Sequence, residues 1–173
     1  MPTNPWLRFP VVSQGAEHLV MGHLMRRNIL TYKAPPGNEG YDLICVHSSP
    51  RHERRGRQKS VLRIQVKSRY ASDSDRGFPV SQATLDAFDF LTVVFLNIGK
   101  FHRGRDGSEG AAPPTYYTFP AEIIRKYHDT SSALEKFRMN RVEGDIDCFR
   151  DEFGFELVAR KLGVPRPSRI TEV

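Results

Sequence analysis

Asp42, Gln65 and Lys67, with Glu17 upstream, are the residues of this chain whose types and spacing can do chemistry. Gln65 and Lys67 fall two apart within Val61-Leu62-Arg63-Ile64-Gln65-Val66-Lys67-Ser68. On an extended strand they share a face with Arg63, while Leu62, Ile64 and Val66 face the other way. One face would then join a core and the other would present an amide and an ammonium side by side. Carboxylates supply what such a face lacks, because they hold hard cations such as Mg²⁺ through oxygen. Bland readings stand beside this one. A solvated surface strand shows the same alternation, a glutamate early in a helix is favoured by the macrodipole alone, and an acid at a strand entrance can bond its own turn.

The elements that would position these residues follow from periodicity. Ser13 can cap a helix, and Ala16, Leu19, Val20, Leu24 and Met25 recur at helical spacing through to Asn28, with Glu17 in the first turns. A strand over Ile29–Lys33, a rigid turn over 34–40 and a strand from Tyr41 to Val46 come next, with Asp42 at the entrance of the second strand. Two antiparallel strands joined by residues 47–59 would set Asp42 near Gln65 and Lys67. Beyond a polar connection over 69–79, the pattern predicts a helix over 81–90 and a strand buried on both faces over 90–98. A Gly-, Arg- and Pro-rich loop over 100–114, a strand over 115–119 and a helix over Ala121–Lys126 introduced by Pro120 complete that part. In the last third, 132–135 matches a capping box, 136–142 alternates as a strand, and 145–162 reads as helix ended by Gly163 and Pro165.

An acid on the first helix, an acid opening a strand and Gln-x-Lys on the next strand resemble the PD-(D/E)XK nuclease superfamily. The matching text is Gln14-Gly15-Ala16-Glu17-His18-Leu19-Val20, Gly40-Tyr41-Asp42-Leu43-Ile44 and Ile64-Gln65-Val66-Lys67-Ser68, within residues 13–125. The branch it looks most like contains Holliday-junction resolvases and small endonuclease-like proteins. The resemblance implies an α/β chain of restriction-endonuclease-like fold: a mixed central β-sheet flanked by helices with an αβββαβ core. That fold is expected as one domain over 1–173, with irregular ends at 1–12 and 164–173.

The resemblance further implies a DNA endonuclease that uses Mg²⁺ or Mn²⁺. Asp42 would be a direct ligand and Glu17 a direct or water-mediated one, with oxygens added by the Gln65 amide and the Val66 carbonyl. Lys67 would orient the attacking water and stabilise transition-state charge; flanked by two acids, its ammonium is expected to stay charged. Cleavage needs a cation, an oriented water and a shaped, dry place. On this reading Asp42→Ala and Lys67→Ala are expected to abolish cleavage without weakening the fold. Gln65 departs from the commoner acid of the family, and losing that charge should weaken metal binding. The alternative is a non-catalytic nucleic-acid-binding module on the same fold.

Charge fits a polyanionic partner. Lys plus Arg number 26 against 20 Asp plus Glu, for a net charge of +6. Arg51, Arg54, Arg55, Arg57 and Lys59 crowd into nine positions just before the Gln-x-Lys strand, and Arg63 and Arg69 flank the candidate site. All seven are candidates for phosphate contact, with DNA as the partner, branched or mobile-element DNA included. A homodimer would supply the two sites that double-strand cutting needs. Tyr116, Tyr117 and Phe119 could stack on bases but sit at the spacing of core aromatics.

Other classes find little support. No window approaches the roughly 18 uninterrupted apolar residues of a membrane span, and the opening residues lack a signal peptide's basic and apolar regions. A cytoplasmic chain is expected. Cys45 and Cys148 read as buried free thiols rather than a disulfide framework. Cys45, His47 and His52 lack the second ligand pair that a zinc site requires. No Ser-His-Asp order and no phosphate-cradling Gly-rich loop is present.

Overall fold

Helix α1 occupies Val11–Met25, and its buried residues Ala16, Val20 and Leu24 recur every four positions to form one ridge. It starts two residues before the predicted cap and ends ahead of Asn28, whose φ of 60° turns the chain into the sheet. The computed structural model describes residues 11–70, 76–98, 112–131 and 133–166. The expected loop over 100–114 and the irregular ends fall largely outside these residues, as do Trp6 and Phe9.

Strands β1 (Ile29–Lys33), β2 (Leu43–His47) and β3 (Val61–Arg69) form an antiparallel meander. After a short strand β4 (Gly77–Pro79), strand β5 (Phe90–Phe95) pairs parallel to β3, and β6 (Thr115–Pro120) pairs antiparallel to β5. The result is a mixed five-stranded sheet in the order β1-β2-β3-β5-β6. All six residues of β5 are buried, as a continuous apolar run requires. Helix α2 (Ala121–Lys126) follows Pro120, strands β7 (His128–Asp129) and β8 (Lys136–Arg138) come next, and helix α3 (Asp151–Leu162) closes the described chain. Gly163, at φ 79°, ends α3 in the left-handed conformation.

Two apolar layers form. One face of β2 and β3, through Leu43, Cys45, Leu62, Ile64 and Val66, packs on α1 and on Phe155, Val158 and Leu162 of α3. Among the described residues the other face is covered over β5 and β6, by Phe78, Phe88, Ile124, Phe137 and Met139. This second layer includes a small sheet in the order β4-β8-β7; β8 opens the strand expected over 136–142, and the other two strands the sequence pattern does not anticipate. Its polar anchor is Asp129, a buried carboxylate that accepts hydrogen bonds from the Ser131 hydroxyl at 2.5 Å and from Arg138 Nε at 2.6 Å. These bonds, with the Ser131 N–H, hold its carboxyl well below the usual range. Over β1, β2 and the start of β3 no described residue covers the same face, and Leu30, Tyr32 and Val61 are exposed there.

The mixed sheet flanked by helices agrees with the fold class that the resemblance implies, but local elements differ. Between β3 and β5 the expected helix shrinks to one 3₁₀ turn, Gln82–Thr84. Asp89 explains the change: its N–H donates to the Arg63 carbonyl at 2.8 Å and its carboxylate accepts from the Arg63 N–H at 2.8 Å. Those bonds draw the chain into the ladder before a helix can extend. The predicted helix over 145–162 is split into a 3₁₀ turn, Ile146–Phe149, and α3, because Arg150 bridges to Tyr117 of β6. In place of the capping box, whose Ser132 is outside the described residues, Glu135 accepts from the Gln82 N–H at 2.5 Å. Cys45 is buried, whereas Cys148, expected to be buried, is exposed. No helix among the described residues is long and apolar enough to cross a membrane.

Candidate metal and phosphate site

At the entrance of β2 the ladder with β3 slips, and Asp42 fills the gap. Its N–H donates to the Ile64 carbonyl at 2.9 Å, and its Oδ2 accepts from the Val66 N–H at 2.6 Å. Asp42 therefore bonds the residues on either side of Gln65. The bland role suggested for an acid at this position, bonding its own turn, is replaced by a bond across strands. This also corrects the expectation that Asp42→Ala would leave folding untouched, since the Val66 N–H would lose its partner.

Gln65 is buried, at 7% exposure, yet its Oε1 has no hydrogen-bond partner among the described residues. A buried acceptor left unmade is costly, about 1–3 kcal/mol. Two residues on, Lys67 is half-buried, and its ammonium makes no ion pair or hydrogen bond among the described residues. Both side chains line an open cleft of about 740 Å³. Its other walls are Glu39 and Gly40 before β2, Pro79, Val80, Ser81 and Thr84 around the 3₁₀ turn, and Thr130, Ala133, Leu134 and Glu135 around the small sheet. The cleft lies where the second layer stops short of β1 and β2.

Glu17 stands apart from this lining. It is paired with Lys33 of β1, on the α1 side of the sheet. Val66 is buried with its N–H on Asp42. Among the described residues no group of three or more His, Cys, Asp or Glu is placed to hold a metal. What the chain brings together at the cleft are two kinds of oxygen: the Gln65 amide oxygen, with no partner among the described residues, and carboxylates, those of Glu39 and Glu135 in the lining and that of Asp42 bonded to the neighbouring Val66. Both are hard oxygen donors of the kind Mg²⁺ or Mn²⁺ accepts while retaining several waters, so the donor set fits such a cation. The Cys45, His47 and His52 grouping does not behave as a zinc site. The two imidazoles stack at 3.8 Å, and His47 Nδ1 accepts from the Ser49 N–H at 3.0 Å.

The basic candidates separate by environment. Arg51, Arg54, Arg55 and Arg57 are exposed, and their guanidinium groups make no ion pair among the described residues. Lys59 is tied down: its ammonium pairs with Asp89 at 2.5 Å and its N–H donates to the Lys161 carbonyl. Arg63 lies over the Tyr41 ring at 5.3 Å. Arg69 donates to the Gly77 carbonyl at 2.5 Å and covers the Phe78 ring at 4.8 Å, a packing role. The loop joins β3 at Val61, four residues and about 13 Å along the strand from Gln65. Tyr116, Tyr117 and Phe119 are core residues.

Sequence reasoning missed Glu39, Glu135, Ser81 and Thr84. Glu39 falls in a stretch whose pattern signals a rigid turn, and Ser81, Thr84 and Glu135 reach the cleft through the 3₁₀ turn and the segment before β8.

Fold and cleft thus define a mixed α/β chain with oxygen donors and a lysine on the central strand of its sheet. No family model matches the sequence, and no curated protein matches it. Two solved structures are similar. The bacterial homing endonuclease I-Ssp6803I shares 17% identity over 87% of this chain and 91% of its own, with a TM-score of 0.47. The Holliday junction resolvase Hjc of the archaeal hyperthermophile Archaeoglobus fulgidus shares 14% identity over 90% and 99%, with a TM-score of 0.42.

Proposed function

We propose that this chain is a metal-dependent nuclease that hydrolyses phosphodiester bonds in DNA. The observation that carries the reading is the partnerless, buried Gln65 Oε1 in a cleft it shares with the unpaired Lys67 ammonium, with Asp42 bonded to the intervening Val66. A buried acceptor without a partner calls for a ligand or water that completes it.

Asp42 and Gln65 would hold Mg²⁺ or Mn²⁺, with the Val66 carbonyl and Glu17 contributing, as the resemblance to the PD-(D/E)XK superfamily implies. The cation would neutralise charge developing on the phosphate. Lys67 would orient the attacking water by hydrogen bonding and place its positive charge against the transition state. Glu17 joins only by leaving Lys33, a partner that its largely covered side chain would have to exchange for the cation. Arg51, Arg54, Arg55 and Arg57 would hold the DNA backbone, and a homodimer would supply a second site for the second strand.

Purified protein incubated with supercoiled plasmid, nicked and four-way-branched DNA, with Mg²⁺ or Mn²⁺, tests the proposal. Cleavage that Lys67→Ala abolishes is the expected result. The amide at position 65 and the Glu17–Lys33 pair favour a second reading, a non-catalytic binding module. Salt-dependent DNA binding with every substrate left intact in both metals would establish that reading and overturn the first.

A further inference from the structure

We propose that Glu39 supplies a carboxylate to this cation site beside Asp42, replacing the charge that Gln65 does not bring and that Glu17 brings only by leaving Lys33; the inference rests on the metal-binding reading above. The cleft is acidic within a basic chain. Its lining holds Glu39 and Glu135 against the single cation Lys67, while the whole chain carries a net charge of +6. Acidity alone would not make a site. The independent observation is Gln65, an amide 7% exposed that lines the same cleft with its Oε1 unsatisfied.

The two glutamates differ in what already occupies them. Glu135 accepts from the Gln82 N–H at 2.5 Å, and its backbone carbonyl accepts from the Val80 N–H at 3.2 Å, so it ties the small sheet to the 3₁₀ turn. The Glu39 carboxylate makes no hydrogen bond or ion pair among the described residues. Its backbone is nevertheless fixed. Asn38 Nδ2 donates to the Tyr41 carbonyl at 2.7 Å across the turn. Gly40 takes φ +91°, and a Cβ there would stand 2.5 Å from Ala87 Cβ, so only glycine lets this turn close against the opposite wall. The turn thus leaves an available carboxylate on the cleft wall three residues ahead of Asp42. With one carboxylate each from Glu39 and Asp42, a divalent cation would meet the two negative charges that an acid at position 65 would otherwise complete.

Mn²⁺ titration of the full chain, read by electron paramagnetic resonance of the free ion, tests this without reference to cleavage. Glu39→Gln is expected to weaken Mn²⁺ binding by about tenfold or more, and adding Gln65→Glu to that variant is expected to recover most of the loss. Circular dichroism should be unchanged, because Glu39 is exposed. Unaltered affinity in Glu39→Gln while Asp42→Asn loses binding would overturn the assignment and leave the nuclease reading standing. Weakened binding in Glu135→Gln, with Glu39→Gln unaffected, would overturn it in the same way. Absence of Mn²⁺ binding by the unsubstituted chain would overturn the metal-dependent reading and this inference with it.

Discussion

The Asp42 carboxylate accepts the Val66 N–H at 2.6 Å, so the residue best suited to hold a cation is also a bond in the sheet. The two duties separate under substitution. Asp42→Asn keeps an oxygen for the Val66 N–H and loses the charge. Its unfolding free energy should stay close to that of the unsubstituted chain while cleavage falls on the order of 100-fold, a direct ligand counting for at least as much as the outer partners of a metal site. Asp42→Ala leaves a strand N–H without a partner and should lose about 1–3 kcal/mol in urea unfolding as well.

Gln65 should show the opposite balance. Its unsatisfied Oε1 is a cost to the fold. Gln65→Leu, of similar volume, removes that acceptor and is expected to match or exceed the native stability in urea unfolding while cleaving no DNA. A clear loss of stability would mean that the amide is satisfied in solution by something other than the proposed ligand.

Cys45 makes alkaline stability testable. Burial pushes its thiol up to about 12 from 9.0, although Thr31 bonds to its sulfur. The folded chain therefore holds a proton that the unfolded chain releases above pH 9, and the stability this contributes is complete below pH 9 and lost as pH rises towards 12. The unfolding free energy of Cys45→Ala should fall less steeply than that of the native chain over this window. At about pH 8 a thiol reagent should modify the exposed Cys148 alone, and both cysteines after denaturation.

Arg54, Arg55 and Arg57 are exposed on the loop before β3, about 13 Å of strand from Gln65. Replacing all three by alanine should weaken DNA binding for every sequence alike. The slope of log affinity against log salt should flatten by about one for each phosphate no longer neutralised. Mn²⁺ affinity should not change, because the loop stands apart from the cleft. Lys59→Ala should cost stability instead, through its pair with Asp89.

Much of this chain is local, and local signals were readable. The α1 ridge, the bounds of β1 and the alternation of β3 follow from residue spacing, which fixes the side of an element that meets a core. The continuous apolar run of β5 announced a strand covered on both faces. Segments whose conformation depends on a distant partner were not readable. The expected helix over 81–90 yields to Asp89 bonding β3, the helix over 145–162 breaks where Arg150 reaches β6, and the small sheet joins residues 77–79 to 128–138 across long separations.

The candidate site divides along the same line. The sequence by itself determined that Gln65 and Lys67 share a strand face and that Asp42 opens the neighbouring strand, because strand geometry has a period of two and turns announce themselves by glycine and proline. Only the tertiary structure decided that Asp42 bonds Val66, that Gln65 is buried with its oxygen unmet, and that Glu17 is held by Lys33. It also decided that Glu39 belongs to the cleft at all. Burial and partnership depend on what the second layer covers, and that layer is assembled from segments whose separation in sequence carries no periodic trace.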